Sequence, residues 1–129
     1  MSIEAPALLI TDDDTGFRET LREAFQPRGF RTLLAGDGEE ALEIVRSTEV
    51  HLVILDMHMP KLTGLETLRL VKQFRALLPC ILMSAQLDAF LVEQAEREQA
   101  FSVLAKPISL HTLTGTVRQA LERTYNWRG

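Results

Sequence analysis

One cysteine, Cys80, stands in the whole sequence. No intramolecular disulfide can form, and a disulfide-stapled secreted scaffold is excluded. Cys80 sits in the apolar run Pro79-Cys80-Ile81-Leu82-Met83 with no histidine beside it in sequence, so it is read as a small core hydrophobe rather than a nucleophile. Basic residues are in the minority, 14 Lys and Arg against 18 Asp and Glu, for a net charge of −4. A nucleic-acid module needs a basic face, so direct nucleic-acid binding is not expected. No apolar run approaches the roughly 20 residues of a membrane-spanning helix. The start, Met1-Ser2-Ile3-Glu4-Ala5-Pro6, lacks the basic and apolar regions of a signal peptide. No membrane association and a cytoplasmic location are therefore expected. No linker, low-complexity tract or close internal repeat divides the chain.

What is present is a core. The sequence is 46% hydrophobic and 25% charged over 129 residues, a globular composition long enough for one domain and too short for two. A single domain over residues 1–129 is expected, with its core about 7–123 and residues 124–129 a tail or the start of a linker. Trp127 in that segment is read as helix-end packing or part of a mobile tag.

Apolar runs alternate with amphipathic segments. Ala7-Leu8-Leu9-Ile10-Thr11 reads as a first strand, followed by a helix carrying Phe17, Leu21, Ala24 and Phe25 that stops near Pro27 and Gly29. Phe30 to Leu34 reads as a second strand. Asp37 caps a second helix with Ala41, Leu42 and Val45 inward. Leu52 to Leu55 is a third strand, and Leu65, Leu68, Val71 and the stem of Lys72 line a third helix. Cys80 to Met83 is a fourth strand. Its helix carries Leu87, Phe90, Leu91 and Ala95, with Glu93, Gln94, Glu96 and Glu98 on a solvated face. Phe101 to Leu104 is a fifth strand, and Leu110, Leu113, Val117, Ala120 and Leu121 mark the last helix. Strict strand–helix alternation predicts an α/β fold: a doubly wound, five-stranded parallel sheet with helices on both faces.

The polar residues that close these strands carry the chemistry. Asp12, Asp13 and Asp14 follow the first strand, Asp56 the third, Ser84 the fourth, and Lys106-Pro107 the fifth. In a parallel sheet those ends share one edge, where open α/β sheets bind ligands. Crowded carboxylates repel one another unless a cation compensates. An all-oxygen set suits Mg²⁺, which takes one or two carboxylates and keeps several waters. Asp13 and Asp56 fit direct ligands and Asp12 a water-mediated one. A carboxylate that attacks phosphorus gives an aspartyl phosphate, and the metal and Lys106 would stabilise the phosphoryl oxygens, with Ser84 able to donate to one of them. Singly, each residue has a plainer reading: Asp14 as a helix N-cap, Ser84 as a turn residue, Lys106 as a surface lysine. Their joint placement on the right strands favours the functional one.

With these pieces the chain resembles the receiver (CheY-like) domain of bacterial two-component response regulators, over roughly Ala7 to Arg123. The matching motifs are Leu8-Leu9-Ile10-Thr11-Asp12-Asp13-Asp14, Leu52-Val53-Ile54-Leu55-Asp56-Met57-His58-Met59-Pro60 with Gly64, Ser84-Ala85 and Lys106-Pro107. The resemblance implies a flavodoxin-like (βα)5 fold with strand order 2-1-3-4-5. It implies that Asp56 is the phosphoacceptor, that Asp12, Asp13, Asp56 and the backbone carbonyl of His58 hold Mg²⁺ (Mn²⁺ can substitute), that Ser84 and Lys106 contact the phosphoryl group, and that the Lys106–Pro107 bond is cis. It implies a phosphoacceptor signalling domain, catalysing only its own phosphorylation and dephosphorylation. The donor would be a sensor histidine kinase or histidine phosphotransfer protein. The output would be a downstream protein or fused effector reached through the fourth helix, fifth strand and fifth helix, a face that can also form a homodimer.

Two positions depart from the family pattern. Val103 stands where most members carry Tyr or Phe, and Gln99 where many carry Gly. Phe101, two residues before Val103, is expected on the same face of the strand by alternation. Two other functions compete. A phosphate-independent docking or dimerisation module would suit Val103. A haloacid-dehalogenase-like phosphohydrolase would use Asp12-Asp13-Asp14 as an Asp-x-Asp motif, but no further acidic motif follows Lys106 and Asp56 would go unexplained.

Overall fold

A computed structural model describes residues 3–129. The reading of Met1 and Ser2 as part of a leaderless start lies outside the described residues. The elements are β1 (Ala7–Thr11), α1 (Thr15–Phe25), a short 3-10 turn (Gln26–Arg28), β2 (Arg31–Ala35), α2 (Gly38–Ser47), β3 (Leu52–Asp56), α3 (Gly64–Phe74), β4 (Cys80–Ser84), α4 (Ala89–Arg97), β5 (Ser102–Ala105) and α5 (Leu110–Tyr125). All neighbouring strands pair in parallel, in the order β2-β1-β3-β4-β5. This is the doubly wound sheet expected from the alternation.

The strands β1, β3 and β4 are buried along their whole length, which is why they read as continuous apolar runs. Their alternate residues supply two cores. Leu9, Val53, Leu55, Cys80 and Leu82 pack under α2, α3 and α4. Leu8, Ile10, Leu52, Ile54, Ile81 and Met83 pack under α1 and α5. Each helix presents a narrow stripe to its core: Leu21 and Phe25 from α1, Ala41, Leu42 and Val45 from α2, Leu68 and Val71 from α3. Burial pushes the Cys80 thiol up to about 12, consistent with an inert core cysteine.

Several boundaries differ from the sequence reading, each for a local reason. β2 starts one residue late, at Arg31, because Phe30 closes the preceding turn: its N–H donates to Phe25 O, and its ring meets Phe25 edge-on at 5.5 Å. Gly29 makes that turn at φ 92°, a left-handed conformation that glycine adopts freely. β5 starts at Ser102, whose ladder partner is Ile81. Phe101 precedes the ladder, so strand alternation does not apply to it. It packs on the α5 side with Leu104, whereas Val103 packs on the opposite side. The two residues do not share a face.

Leu87 and Phe90 are not part of the inner stripe of α4. Asp88 caps the helix by accepting from Leu91 N–H at 2.8 Å, leaving Leu87 before the helix and Phe90 71% exposed. Only Leu91 and Ala95 of α4 are buried. Leu110, the first residue of α5, is likewise exposed. α5 runs through Tyr125 and ends at Asn126 in the left-handed conformation. Trp127 then folds back onto Phe30, ring centroids 5.3 Å apart. Among the described residues, no helix is long and apolar enough to cross a membrane.

Candidate functional site

The carboxyl ends of β1, β3, β4 and β5 bring Asp12, Asp13, Asp56, Ser84 and Lys106 to one rim. Asp12 follows β1 directly and is buried. Its backbone is held on both sides: its N–H donates to Ala35 O at 3.1 Å, and its carbonyl accepts from Arg18 Nη1 at 2.6 Å. Its Oδ1 accepts from Asp14 N–H at 2.9 Å. Asp14 itself caps α1 by accepting from Phe17 N–H at 3.1 Å, the plainer of its two readings. That role takes Asp14 away from an Asp-x-Asp motif with Asp12.

Asp56 ends β3 and is buried. The segment after it turns tightly, with Met57 N–H donating to Met83 O at 2.7 Å and Gly64 N–H to Met57 O at 2.9 Å. A β-carbon at Gly64 would lie 2.8 Å from Met57 Cα and 2.7 Å from Leu82 Cδ1, and would collide with the carbonyl oxygen of Asp56. The glycine four residues beyond Pro60 is therefore a packing requirement of the acidic site. Thr63 and Glu66 form a capping box that starts α3 immediately afterwards. Lys61 reaches across to Asp37 at 3.4 Å and Glu39 at 3.7 Å, tying this loop to the start of α2.

Lys106 joins the two buried carboxylates. Its ammonium lies 3.0 Å from Asp56 Oδ1 and 3.1 Å from Asp12 Oδ2. Its backbone N–H donates to Ser84 O at 2.8 Å, and the Lys106–Pro107 bond is cis. Burial disfavours the Lys106 ammonium, but its hydrogen bonds to Asp56 and Asp12 outweigh that and hold its pKa above the usual range. Asp12 moves up too: burial is the main cause, the Asp56 charge adds to it, and the bonds from Asp14 and Lys106 oppose it.

Asp12, Asp13 and Asp56 each offer a carboxylate oxygen, and these lie within 4.8 Å of one another. Three hard oxygen donors with one of them exposed fit a small divalent cation that keeps water ligands. The His58 side chain is exposed and does not join that group. It lines a shallow cleft with Met57, Ser84, Gln86 and Phe90. Ser84 is buried, and its hydroxyl accepts from Gln86 N–H at 3.1 Å.

Two neighbours of the site were not singled out as site residues from sequence. Arg18 holds the Asp12 carbonyl, and Phe17, read as a core residue of α1, places its ring 4.8 Å from the Lys106 ammonium. The available signal was their position in the first turn of the helix that follows the acidic run.

A profile of the response regulator receiver domain matches residues 8–118. The chain belongs to this family. Sporulation initiation phosphotransferase F of Bacillus subtilis is 32% identical over 114 residues, which cover 88% of this chain and 92% of that protein. A CheY-like receiver domain from Methanospirillum hungatei shares the fold with a TM-score of 0.91 at 19% identity, over 95% of this chain and 98% of that one. The response regulator TrrA of Thermotoga maritima, solved with Mg²⁺-BeF, superposes with a TM-score of 0.82 at 29% identity, over 90% and 99% of the two chains. Other curated relatives are longer. This receiver spans 28% of the Klebsiella oxytoca transcriptional regulatory protein ZraR and 51% of the Mycolicibacterium vanbaalenii response regulator MprA.

Proposed function

We propose that this receiver accepts a phosphoryl group on Asp56 and uses it to change protein contacts in two-component signalling. The observation that carries the reading is the half-buried Lys106 ammonium within 3.1 Å of both buried carboxylates, Asp12 and Asp56. An Asp56 oxygen attacks the phosphorus of a phosphohistidine on a sensor kinase or phosphotransfer protein. A P–O bond forms, the P–N bond breaks, and the imidazole leaves with a proton. The Lys106 hydrogen bond passes from Asp56 Oδ1 to a phosphoryl oxygen, where it stabilises the developing charge. Ser84, now turned to Gln86 N–H, rotates to donate to another phosphoryl oxygen.

Three carboxylates face one ammonium at this rim, a balance that would repel an incoming phosphoryl group. A Mg²⁺ ion held there would supply the compensating charge and would polarise the phosphoryl oxygens. Asp12, Asp13, Asp56 and the His58 carbonyl are its proposed ligands, and Mn²⁺ can replace it.

The proposed output surface is formed by α4, β5 and α5, toward a downstream protein, a fused effector or a second copy of this chain. Exposed Phe90, Leu87 and Leu110 support it, because apolar side chains held at such a surface favour a partner. Val103, with no ring to turn, favours the second reading, a docking module indifferent to phosphate. The intact acidic set and Lys106 weigh against it. Borohydride reduction of the phosphorylated protein, followed by peptide mass spectrometry, tests the site. The reading expects homoserine at position 56; reduction at another carboxylate overturns it.

A further inference from the structure

The environment of Lys106 has a third side besides its two carboxylates. The Phe17 ring lies 4.8 Å from Nζ, at cation–π distance. Phe17 is half-buried on the first turn of α1, against the α1–α5 core, and Lys106 is the only ammonium found over an aromatic ring among the described residues. We propose that Phe17 is a positioning residue for phosphoryl transfer, holding the Lys106 ammonium at the site while its hydrogen bond passes from Asp56 to the phosphoryl group. This rests on the Asp56 reading above.

The physical reason is a difference in what each contact senses. The Asp56–Lys106 pair at 3.0 Å weakens as the Asp56 oxygen bonds to phosphorus and loses its charge. The ring's attraction for the ammonium does not depend on the state of Asp56. It also closes one approach of water to the ammonium, which lowers the local dielectric and strengthens the interaction with the arriving oxygen. Without the ring, Lys106 keeps a long flexible stem and an easy route toward solvent during the exchange. A leucine would fill much of the same core volume but offer no negative π face.

The test uses the whole chain and phosphoramidate, a small phosphodonor, so that no kinase docking surface is involved. In this reaction Asp56 gains a P–O bond as the donor's P–N bond breaks and ammonia leaves. Phenylalanine at position 17 is replaced by its mono-, di- and trifluoro analogues, which keep the shape and drain the π face, and separately by Phe17→Tyr and Phe17→Leu. The rate of phosphoryl gain at fixed Mg²⁺ is expected to fall stepwise with fluorination, to about fivefold slower at the trifluoro ring. Phe17→Leu should be at least as slow and Phe17→Tyr close to the unsubstituted protein, with melting temperatures unchanged along the fluorinated series. Equal rates across the fluorinated series overturn the role of Phe17 alone. No phosphoryl gain in the unsubstituted protein overturns the Asp56 reading and this inference together.

Discussion

Lys106 Nζ stands 3.0 Å from Asp56 Oδ1 across the end of the sheet, one on β3 and the other immediately after β5. The two strands are not neighbours; β4 lies between them. The pair therefore exists only when the sheet order is right, and it couples the acidic rim to the loop that leads into α5.

Removing the ammonium should cost both stability and chemistry. Lys106 is a quarter exposed while its partners are nearly buried, so the loss is discounted from that of a fully buried pair. Lys106→Met is expected to destabilise by about 1–2 kcal/mol, read by urea unfolding, and to slow phosphoryl gain by at least roughly tenfold. Adding Asp56→Asn to Lys106→Met should recover part of the stability, because it removes one of the carboxylates left facing each other. A double variant less stable than Lys106→Met would contradict the pairing.

Gly64 is predicted to be intolerant of a single methyl group. The clash of a β-carbon there is with backbone atoms of Asp56 and Met57 as well as Leu82, so it cannot be relieved by a side-chain rotation. Gly64→Ala should cost on the order of 2–3 kcal/mol and shift the amide resonances of Asp56 and Met57. A variant with unchanged stability would show that the turn after β3 yields more readily than the Gly64 contacts imply.

The acidic rim should depend on a divalent cation. Chelation with EDTA is expected to stop phosphoryl gain from a small phosphodonor, and Asp13→Asn to raise the Mg²⁺ concentration needed by roughly tenfold or more. Asp13 is the exposed member of the cluster, so its substitution should leave the unfolding midpoint nearly unchanged. Phosphoryl gain undiminished in EDTA would count against the metal assignment.

His51 sets a pH limit on the fold at the opposite end of β3. Its Nδ1 accepts from the Ala7 N–H at 2.9 Å, and Tyr125 donates its hydroxyl to the His51 carbonyl at 2.8 Å. Burial lowers the His51 pKa from its ordinary 6.5, with nearby Glu49 opposing and Arg31 and Arg75 adding to the drop. A depressed histidine pKa means that the unfolded chain binds the proton first. Its contribution is therefore full above pH 6.5 and is lost as pH falls below that value toward the folded pKa. Between pH 7.5 and 5.5, two values chosen to straddle about one unit either side of an ordinary histidine, the unsubstituted protein should lose more stability than His51→Leu. His51→Leu should be less stable at the higher pH by about 1–3 kcal/mol, since it strands the Ala7 N–H. Parallel pH profiles for the two proteins would refute the assignment.

Much of the fold and of the acidic rim is legible in the sequence, and for identifiable physical causes. Leu8 to Ile10 and Leu52 to Leu55 are apolar without interruption because both faces of their strands are covered, a pattern that a half-exposed strand or an amphipathic helix does not produce. Asp12, Asp56 and Lys106 could be brought together because parallel strands put all their carboxyl ends on one edge. What stayed hidden depended on contacts rather than on periodicity. Phe90 has the spacing of a core residue, yet the Asp88 cap starts α4 in a phase that leaves it outside. Phe101 looked like a strand residue in phase with Val103, but the ladder begins one residue later. Gln99 takes φ 63°, a left-handed conformation that glycine adopts freely and that the Gln99 side chain conceals in the sequence. The ring of Phe17 over Lys106 joins residues from opposite ends of the chain, a contact that no local pattern carries.

The central claim is that Asp56 is the phosphoacceptor. Intact-mass measurement after incubation with Mg²⁺ and phosphoramidate tests it most directly. A gain of one phosphoryl group is expected in the unsubstituted protein and none in Asp56→Ala. No gain in the first, or an equal gain in the second, would contradict it.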